Sequence, residues 1–234
     1  MLKKILKKYL GLETGHLDRS GRVERYSVMM HVFEFAAKSD IDGCFMEFGT
    51  FRGESLTKAY HAYKYWLGKA QQNGWRMREQ NMYAFDSFEG LPNLSASDQQ
   101  RGYAVFSGGQ YACSKQEVIK NLTKENVDIS AIKMVKGFFD QSLTDELKES
   151  ISDKAIVIHI DVDLYSSCVS VLDFIRNFIQ DGTVVIFDDY YCFRANKNFG
   201  VRKAYEEWLA KNPDIQSQTY LNYGWSGKIF ILST

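Results

Sequence analysis

Residues 155–165 read AIVIHIDVDLY, a run of apolar, mostly β-branched residues followed by two aspartates. An apolar run of this length is typical of a strand that is buried on both faces in a parallel sheet. The same pattern recurs at residues 183–190, which read TVVIFDDY. Between the two runs, residues 167–179 have apolar side chains at helical spacing, which predicts a strand, a crossover helix and a second, parallel strand. We therefore expect an α/β fold built on a mostly parallel sheet.

Acidic residues end both of these strands. Asp161 follows the first, and Asp188 and Asp189 follow the second. We expect them to lie close together, because parallel strands end at one edge of the sheet, where open α/β sheets bind ligands. Carboxylates about 4 Å apart repel by roughly 4 kcal/mol at an effective dielectric near 20, so the cluster needs a cation or a bound proton. All-oxygen ligands favour Mg²⁺ over zinc. Helix capping is the alternative role for these aspartates, above all for Asp163.

The composition is that of a globular protein. The 234 residues are 45% hydrophobic and carry no net charge, which gives no support for nucleic acid as a partner. The four cysteines show no metal-ligand spacing, so we expect reduced, buried thiols in a cytoplasmic protein. His159 lies inside the predicted strand and is interpreted as a satisfied core residue. We expect a single domain over residues 1–234.

The amino-terminal residues form an amphipathic pattern. Residues 2–10 place apolar side chains on one helical face and lysines on the other, and residues 1–40 are expected to be a helical extension. Packing on the body or on a second subunit is the favoured role, and contact with an anionic membrane surface stays open. No stretch is long enough to span a bilayer. The abundant aromatic residues suggest a homodimer.

A glycine-rich turn follows the first predicted strand, residues 44–48. Glu47 and Gly49 end that strand, and a helix is expected to begin just after Gly53. Glycines allow a ligand to approach the backbone, and free amides at a helix amino end favour a carboxylate or a phosphate. Ser55 adds a hydroxyl. The pattern differs from the dinucleotide fingerprint Gly-x-Gly-x-x-Gly, which argues against a nicotinamide enzyme.

Later segments complete the predicted sheet. Asp86 ends a second strand, where an acidic residue can bind ribose hydroxyls. The helix after the glycine turn is expected to run to about Tyr65 or beyond, and a polar stretch at residues 68–81 precedes the second strand. Residues 93–113 are a long loop and a candidate lid, with a solvated insertion as the alternative. Residues 216–221 and 228–232 predict an antiparallel hairpin at the sheet edge.

Five segments in this order resemble one enzyme family. They are residues 47–55 (EFGTFRGES), 86–92 (DSFEGLP), 137–139 (GFF), 161–165 (DVDLY) and 188–190 (DDY). From about Glu24 to the last strand, the chain resembles the macrocin O-methyltransferase family. The resemblance implies a class I, Rossmann-like methyltransferase fold with helices on both faces of a mostly parallel sheet and an antiparallel edge hairpin. It also implies methylation of a sugar hydroxyl, on a small molecule or a glycan, with S-adenosylmethionine and Mg²⁺.

The resemblance implies roles for individual residues. The cofactor-binding set is Glu47, Gly49, Thr50, Gly53, Ser55, Asp86, Ser87, Phe139 and Asp140. Within it, Glu47, Gly49 and Ser55 would hold the methionine part. Asp86 and Ser87 would hold the ribose, and Phe139 and Asp140 would flank the adenine. Asp161, Asp188 and Asp189 would bind the metal, and Asp161 would also be the catalytic base. Glu54 stands where the family usually has glycine, and residues 93–113 match no family pattern, which leaves the acceptor open.

Three rival functions share parts of this pattern. The Asp161-Val162-Asp163 segment is similar to the metal motif of nucleotide-sugar glycosyltransferases and to the nucleophile motif of aspartyl-phosphate phosphatases. The first interpretation leaves the glycine turn at residues 47–53 unexplained. The second is disfavoured because the motif comes late and the following helix has Arg176 but no lysine. A non-catalytic protein that binds the same cofactor is the third alternative, and the intact acidic triad disfavours it.

Overall fold

The computed structural model describes residues 27–98 and 106–234. In this part of the chain, seven strands form one sheet. They are β1 (Cys44–Phe48), β2 (Met82–Asp86), β3 (Ile132–Lys136), β4 (Ala155–Ile160), β5 (Thr183–Phe187), β6 (Gln216–Tyr223) and β7 (Gly227–Ser233). The strand order is β3-β2-β1-β4-β5-β7-β6. Strands β1 to β5 are parallel, and β7 runs antiparallel to both β5 and β6. The predicted parallel sheet with an edge hairpin is confirmed.

Helices cover both faces of this sheet. They are α1 (Val28–Lys38), α2 (Glu54–Asn73), α3 (Lys115–Lys124), α4 (Phe139–Ser142), α5 (Asp145–Ser150), α6 (Tyr165–Ile175) and α7 (Gly200–Lys211). Apolar residues of α1, α2 and α3 pack into one core, and those of α6 and α7 pack into a second core. Successive strand residues alternate between these cores: Phe45 belongs to the first, and Met46 and Phe48 belong to the second.

The predicted crossover unit fixes the position of the acidic residues. Strand β4 is buried along its whole length, as a strand covered on both faces must be. Its register with β5 pairs Ile160 with Phe187, the last residue of each strand. Asp161 and Asp188 follow directly, so they leave the sheet at the same level.

Helix α2 continues beyond Tyr65 as far as Asn73, into the polar stretch of the sequence, because Leu67 and Ala70 extend its buried face. The alternative capping role of Asp163 is wrong. Asp163 does not cap α6: the capping position is Leu164, and it makes no side-chain capping bond. The amide of Ser166 instead donates to Asp98 Oδ1 at 2.9 Å, so a carboxylate distant in sequence serves this helix end.

Two predicted segments fall wholly or partly outside the described residues. Residues 2–10 are not described, and of the predicted lid, residues 93–98 and 106–113 are described. Helix α1 buries Val32, Phe33 and Ala36 completely. All four cysteines are free thiols. Among the described helices, none has the length and apolarity needed to cross a bilayer.

Candidate active site

The three predicted metal ligands lie together. One carboxylate oxygen from each of Asp161, Asp188 and Asp189 lies within 4.8 Å of the others. The backbone fixes their positions, because the Asp161 amide donates to Phe48 O at 2.9 Å and the Asp188 amide donates to Ile160 O at 3.1 Å. These bonds extend the parallel pairing by one residue at each strand end. The expectation that the three aspartates meet at the carboxyl edge of the sheet is confirmed.

Side chains outside the acidic motifs orient two of these carboxylates. The Tyr223 hydroxyl, at the end of β6, donates to Asp188 Oδ1 at 2.8 Å, and Asp188 is only 5% exposed. The Cys192 thiol donates to Asp189 Oδ1 at 2.8 Å. Burial, followed by the charge of Asp189, raises the pKa of Cys192, so it remains a thiol. Neither residue was predicted from the sequence, because Tyr223, at the end of β6, and Cys192, in the turn after β5, belong to no recognisable motif.

A fourth carboxylate borders the cluster. Burial raises the pKa of Asp163 to about 8, and the charges of Asp189 and Asp161 add to the effect. The charge of Asp163 is in turn the largest of the influences that raise the pKa of Tyr111. Tyr111 lines the same cavity as these carboxylates, so this part of the predicted lid forms a wall of the site.

A cavity of about 520 Å³ opens in front of the aspartates. Its volume is in the range usual for small-molecule sites. Eight of the residues assigned to the site by resemblance line it: Gly49, Asp86, Ser87, Phe139, Asp140, Asp161, Asp188 and Asp189. They follow β1, β2, β3, β4 and β5, so this cavity spans five strand ends.

A smaller cavity of about 240 Å³ lies on the other side of the β1 turn. Thr50, Ser55 and the two cations Arg52 and Lys58 line it. Asp161 and Asp188 border both cavities. The cluster of aspartates therefore stands between two spaces. The smaller one is lined by Arg52, Lys58 and Glu54 near a helix amino end, and the described charged residues that line the larger one are aspartates.

Comparison with known proteins identifies this arrangement. The family model described as macrocin-O-methyltransferase matches residues 20–215. The chain belongs to the macrocin O-methyltransferase family. It is therefore an O-methyltransferase, and the glycosyltransferase, phosphatase and non-catalytic interpretations are set aside. No curated protein matches the chain in sequence.

Solved structures of methyltransferases share the fold. The O-methyltransferase NovP superposes with a TM-score of 0.72 at 18% identity, covering 100% of this chain and 98% of its own. The calicheamicin methyltransferase CalS11 gives 0.66 at 19% identity, covering 98% and 91%. An O-methyltransferase from Bacillus cereus in complex with SAH gives 0.56 at 12% identity, covering 100% and 90%. The predicted class I methyltransferase fold is confirmed.

In this family member, the carboxylate of Asp86 accepts hydrogen bonds from three backbone amides. Its Oδ2 accepts the amides of Thr50 at 2.7 Å and Phe51 at 2.9 Å, and its Oδ1 accepts the amide of Phe88 at 2.7 Å. A carboxylate can accept about four hydrogen bonds, so one acceptor position remains for a ligand. Asp86 thus holds the β1 turn in place, and its assignment to the ribose stays a prediction.

Glu47 contacts His159, a residue that lines the smaller cavity of this methyltransferase. It is fully buried, and its Oε2 is 3.0 Å from His159 Nδ1. Its Oε1 and the Thr50 hydroxyl are buried without a hydrogen-bond partner. His159 is buried and bonded, in agreement with its interpretation as a satisfied core residue. Glu47 is not among the residues lining either cavity.

The two glycines of the β1 turn have different functions. Gly49 has φ +87°, and a Cβ there would overlap the carbonyl oxygen of Asp161. Only glycine therefore allows the turn to lie against the strand end that carries Asp161. Gly53 also has a left-handed φ, but its open side faces Leu122 in the core. Gly53 lines neither cavity, so its effect on a ligand would act through the start of α2.

Proposed function

We propose that the protein transfers a methyl group from S-adenosylmethionine to a hydroxyl of a sugar, with Mg²⁺ held by Asp161, Asp188 and Asp189. The observation that carries this proposal is the gathering of the three carboxylates within 4.8 Å, at the junction of two cavities. The family membership supports methyl transfer. A sugar acceptor is supported by the family name and by the similarity to CalS11, a TDP-rhamnose 3′-O-methyltransferase.

The residues present fit the donor. S-adenosylmethionine supplies a sulfonium methyl group when it is bound, and its amino-acid end carries an ammonium and a carboxylate. The unpartnered Thr50 hydroxyl lines the smaller cavity together with Arg52 and Lys58, and the unpartnered Glu47 Oε1 belongs to the carboxylate that contacts His159, another lining residue. Buried polar atoms without partners are rare and point to a missing ligand or water. We assign the methionine part to the smaller cavity and the ribose and adenine to Asp86, Ser87, Phe139 and Asp140.

The residues present also fit the metal. Three carboxylates at one point require a compensating cation, and their oxygens are the donors that Mg²⁺ prefers. When it is bound, Mg²⁺ lowers the pKa of a hydroxyl that reaches it. Asp161 borders both cavities and is placed to accept the proton of the acceptor hydroxyl, as the general base of the reaction. The protein walls align donor and acceptor, which supplies much of the rate.

Replacement of a ligand tests the proposal. We expect Asp188→Asn to reduce methyl transfer to background while the affinity for S-adenosylmethionine, measured by calorimetry, stays near that of the wild type. The reason is that Asp188 contributes negative charge to the metal site, and the amide removes that charge at constant size. Turnover is measured on a panel of sugars with Mg²⁺ and again after chelation.

Asp173→Asn is the matched control, because Asp173 is an exposed aspartate on α6, away from both cavities. It is expected to leave turnover and Mg²⁺ affinity unchanged. Near-wild-type turnover of Asp188→Asn, or full activity after chelation, would contradict the metal assignment and leave the methyltransferase assignment intact.

A further inference from the structure

Among the described residues, three line both cavities: Phe51, Asp161 and Asp188. In the proposed binding mode, the methionine part of the donor occupies the smaller cavity, and the ribose and adenine occupy the larger one. The sulfonium sulfur is bonded to the methionine chain, to the ribose carbon and to the methyl group that is transferred. It therefore has to lie where the two cavities meet, beside these three side chains.

Two of the three shared residues, Asp161 and Asp188, are proposed metal ligands. A bound Mg²⁺ offsets most of the negative charge of the aspartate cluster, and it also repels the positive sulfonium. Of the three, Phe51 is the one that can favour a positive charge without competing for the metal. The face of an aromatic ring attracts a cation that lies within about 6 Å of the ring centroid.

The backbone holds Phe51 in an unusual conformation. Its φ is +45°, a left-handed value that is rare for a bulky residue. The amide of Phe51 donates to Asp86 Oδ2 at 2.9 Å. The amide of Gly53 donates to Thr50 O at 2.8 Å, which closes the turn around Phe51. Such conformations persist where the surrounding structure determines them, and they cluster at ligand sites, so the strain points to a role for the side chain presented here.

Neighbouring side chains fix the ring of Phe51. Tyr111 meets it edge to face, with the ring centroids 5.8 Å apart. Tyr111 is itself anchored, because the amide of Leu91 donates to the carbonyl of the adjacent Gln110 at 2.8 Å. The guanidinium carbon of Arg52 lies 5.0 Å from the centroid of Phe51. The ring is therefore oriented by two neighbours, and it already lies within cation–π distance of one positive group.

We infer that the ring of Phe51 packs against the sulfonium and makes the site distinguish charged S-adenosylmethionine from its neutral product, S-adenosylhomocysteine. This inference rests on the proposed function and deepens it, because it assigns recognition of the donor's charge to one side chain. During transfer, the bond between sulfur and the methyl carbon breaks and its electron pair stays on sulfur. The sulfur becomes a neutral thioether, so the attraction to the ring ends with the reaction. Phe51 is thus a specificity-determining residue that favours exchange of product for new donor.

Dissociation constants of the two compounds test the inference. They are measured by calorimetry with saturating Mg²⁺ and without an acceptor. We expect Phe51→Leu to raise the Kd of S-adenosylmethionine about three- to tenfold more than the Kd of S-adenosylhomocysteine. Leucine keeps an apolar side chain at the same left-handed position, so it removes the aromatic face without relieving the backbone strain. Phe51→Tyr keeps the ring and is expected to keep the wild-type ratio of the two Kd values.

Phe139→Leu is the matched control. Phe139 lines the larger cavity and not the smaller one, and it is proposed to flank the adenine, which is the same in both compounds. This variant is expected to raise both Kd values alike and to leave their ratio unchanged. Sinefungin, in which an amino-bearing carbon replaces the sulfonium, keeps the positive charge without the sulfur. Its Kd is expected to rise with that of S-adenosylmethionine in Phe51→Leu.

An unchanged or reversed ratio in Phe51→Leu, whether both affinities stay or fall together, would overturn the inference and leave the proposed function standing. Binding of neither compound by the wild type would overturn the proposed function itself. The Phe51 side chain is 36% exposed, so its replacement is expected to be compatible with folding, and the Tm of each variant checks this. Phe51→Met also removes the ring and gives the same readout should the leucine variant fail to fold.

Discussion

Tyr223 connects the last hairpin to the proposed metal site. Its hydroxyl donates to Asp188 Oδ1 at 2.8 Å, and its ring is 2% exposed, so the phenol is held rigidly in the core. A buried carboxylate with one fixed donor presents its other oxygen in a defined direction. Tyr223 is thus a positioning residue that reaches Asp188 from a strand at the far edge of the sheet.

Loss of this hydroxyl is expected to weaken metal binding. In Tyr223→Phe, the Mg²⁺ concentration for half-maximal activity should rise about 10–100-fold, the usual effect of removing a partner of a metal ligand. Turnover at saturating Mg²⁺ and cofactor affinity should change much less. Tyr205→Phe is the matched control, because it removes another buried tyrosine's hydroxyl bond, to Ser217 at 2.7 Å, on the α7 side of the sheet. Equal Mg²⁺ dependence of wild type and Tyr223→Phe would contradict the positioning role.

At the residue scale, the sequence predicted the positions of those site residues that directly follow a regular strand. Asp161 and Asp188 were predicted together because each directly follows a buried strand, and parallel register brings strand ends to one level. Tyr223 and Cys192 were not predicted, because their contacts depend on how turns fold back onto the sheet. Helix capping was the alternative role for Asp163, but the structure places it in the cavity wall, and its local sequence does not distinguish the two environments.

At the scale of elements, the turn after β1 is shaped by its contact with the end of β4. The amide of Gly49 donates to Phe85 O at 2.9 Å, and its missing side chain leaves room for the Asp161 carbonyl. Asp86 accepts the next two amides, from Thr50 and Phe51. Three strand ends, those of β1, β2 and β4, are joined through this turn. The glycine spacing predicted its presence, but the contact that requires Gly49 follows only from the sheet order.

Two alanine variants distinguish the energetic cost of a left-handed backbone from the cost of a clash with the Asp161 carbonyl. Gly49 and Gly74 both have left-handed φ values, of +87° and +72°, but only a Cβ at Gly49 would meet another atom within 4 Å. Gly74→Ala is expected to lower the free energy of unfolding by about 1 kcal/mol, from strain alone. Gly49→Ala should lower it by clearly more, because the β1 turn or the β4 end must move. Urea unfolding measures both, and equal losses would contradict the proposed close contact.

At the scale of the whole molecule, the sheet order β3-β2-β1-β4-β5-β7-β6 arranges the proposed donor and acceptor side by side. The proposed donor contacts follow β1, β2 and β3, and the part of the larger cavity that they leave for the acceptor follows β5 and β6. The α/β class, the parallel sheet and the edge hairpin were all predicted, because buried strands and amphipathic helices have clear periodicities. The extent of α2 and the cavity walls were not, because they depend on packing between distant segments.

Because the proposed donor contacts come from several strand ends, binding should stabilise the whole fold. S-adenosylhomocysteine, the expected product, at 100 times its Kd should add about 2.7 kcal/mol to the free energy of unfolding. For a chain of this size, that corresponds to a rise in Tm of roughly 5–10 °C. Thermal unfolding with and without the compound measures it, with adenine as a control that lacks the methionine part. A Tm unchanged at this saturation would contradict binding to the folded state.

The short hairpin β6–β7 carries two residues that line the candidate site, Tyr223 and Trp225. Tyr223 donates to Asp188 from its first strand, and two residues later Trp225 lies in the turn, where it lines the larger cavity. A substitution at Trp225 therefore changes the wall of that cavity while the Tyr223–Asp188 bond and the proposed donor contacts remain as they are. This surface turn is a place where the cavity can be reshaped without disturbing the residues proposed for methyl transfer.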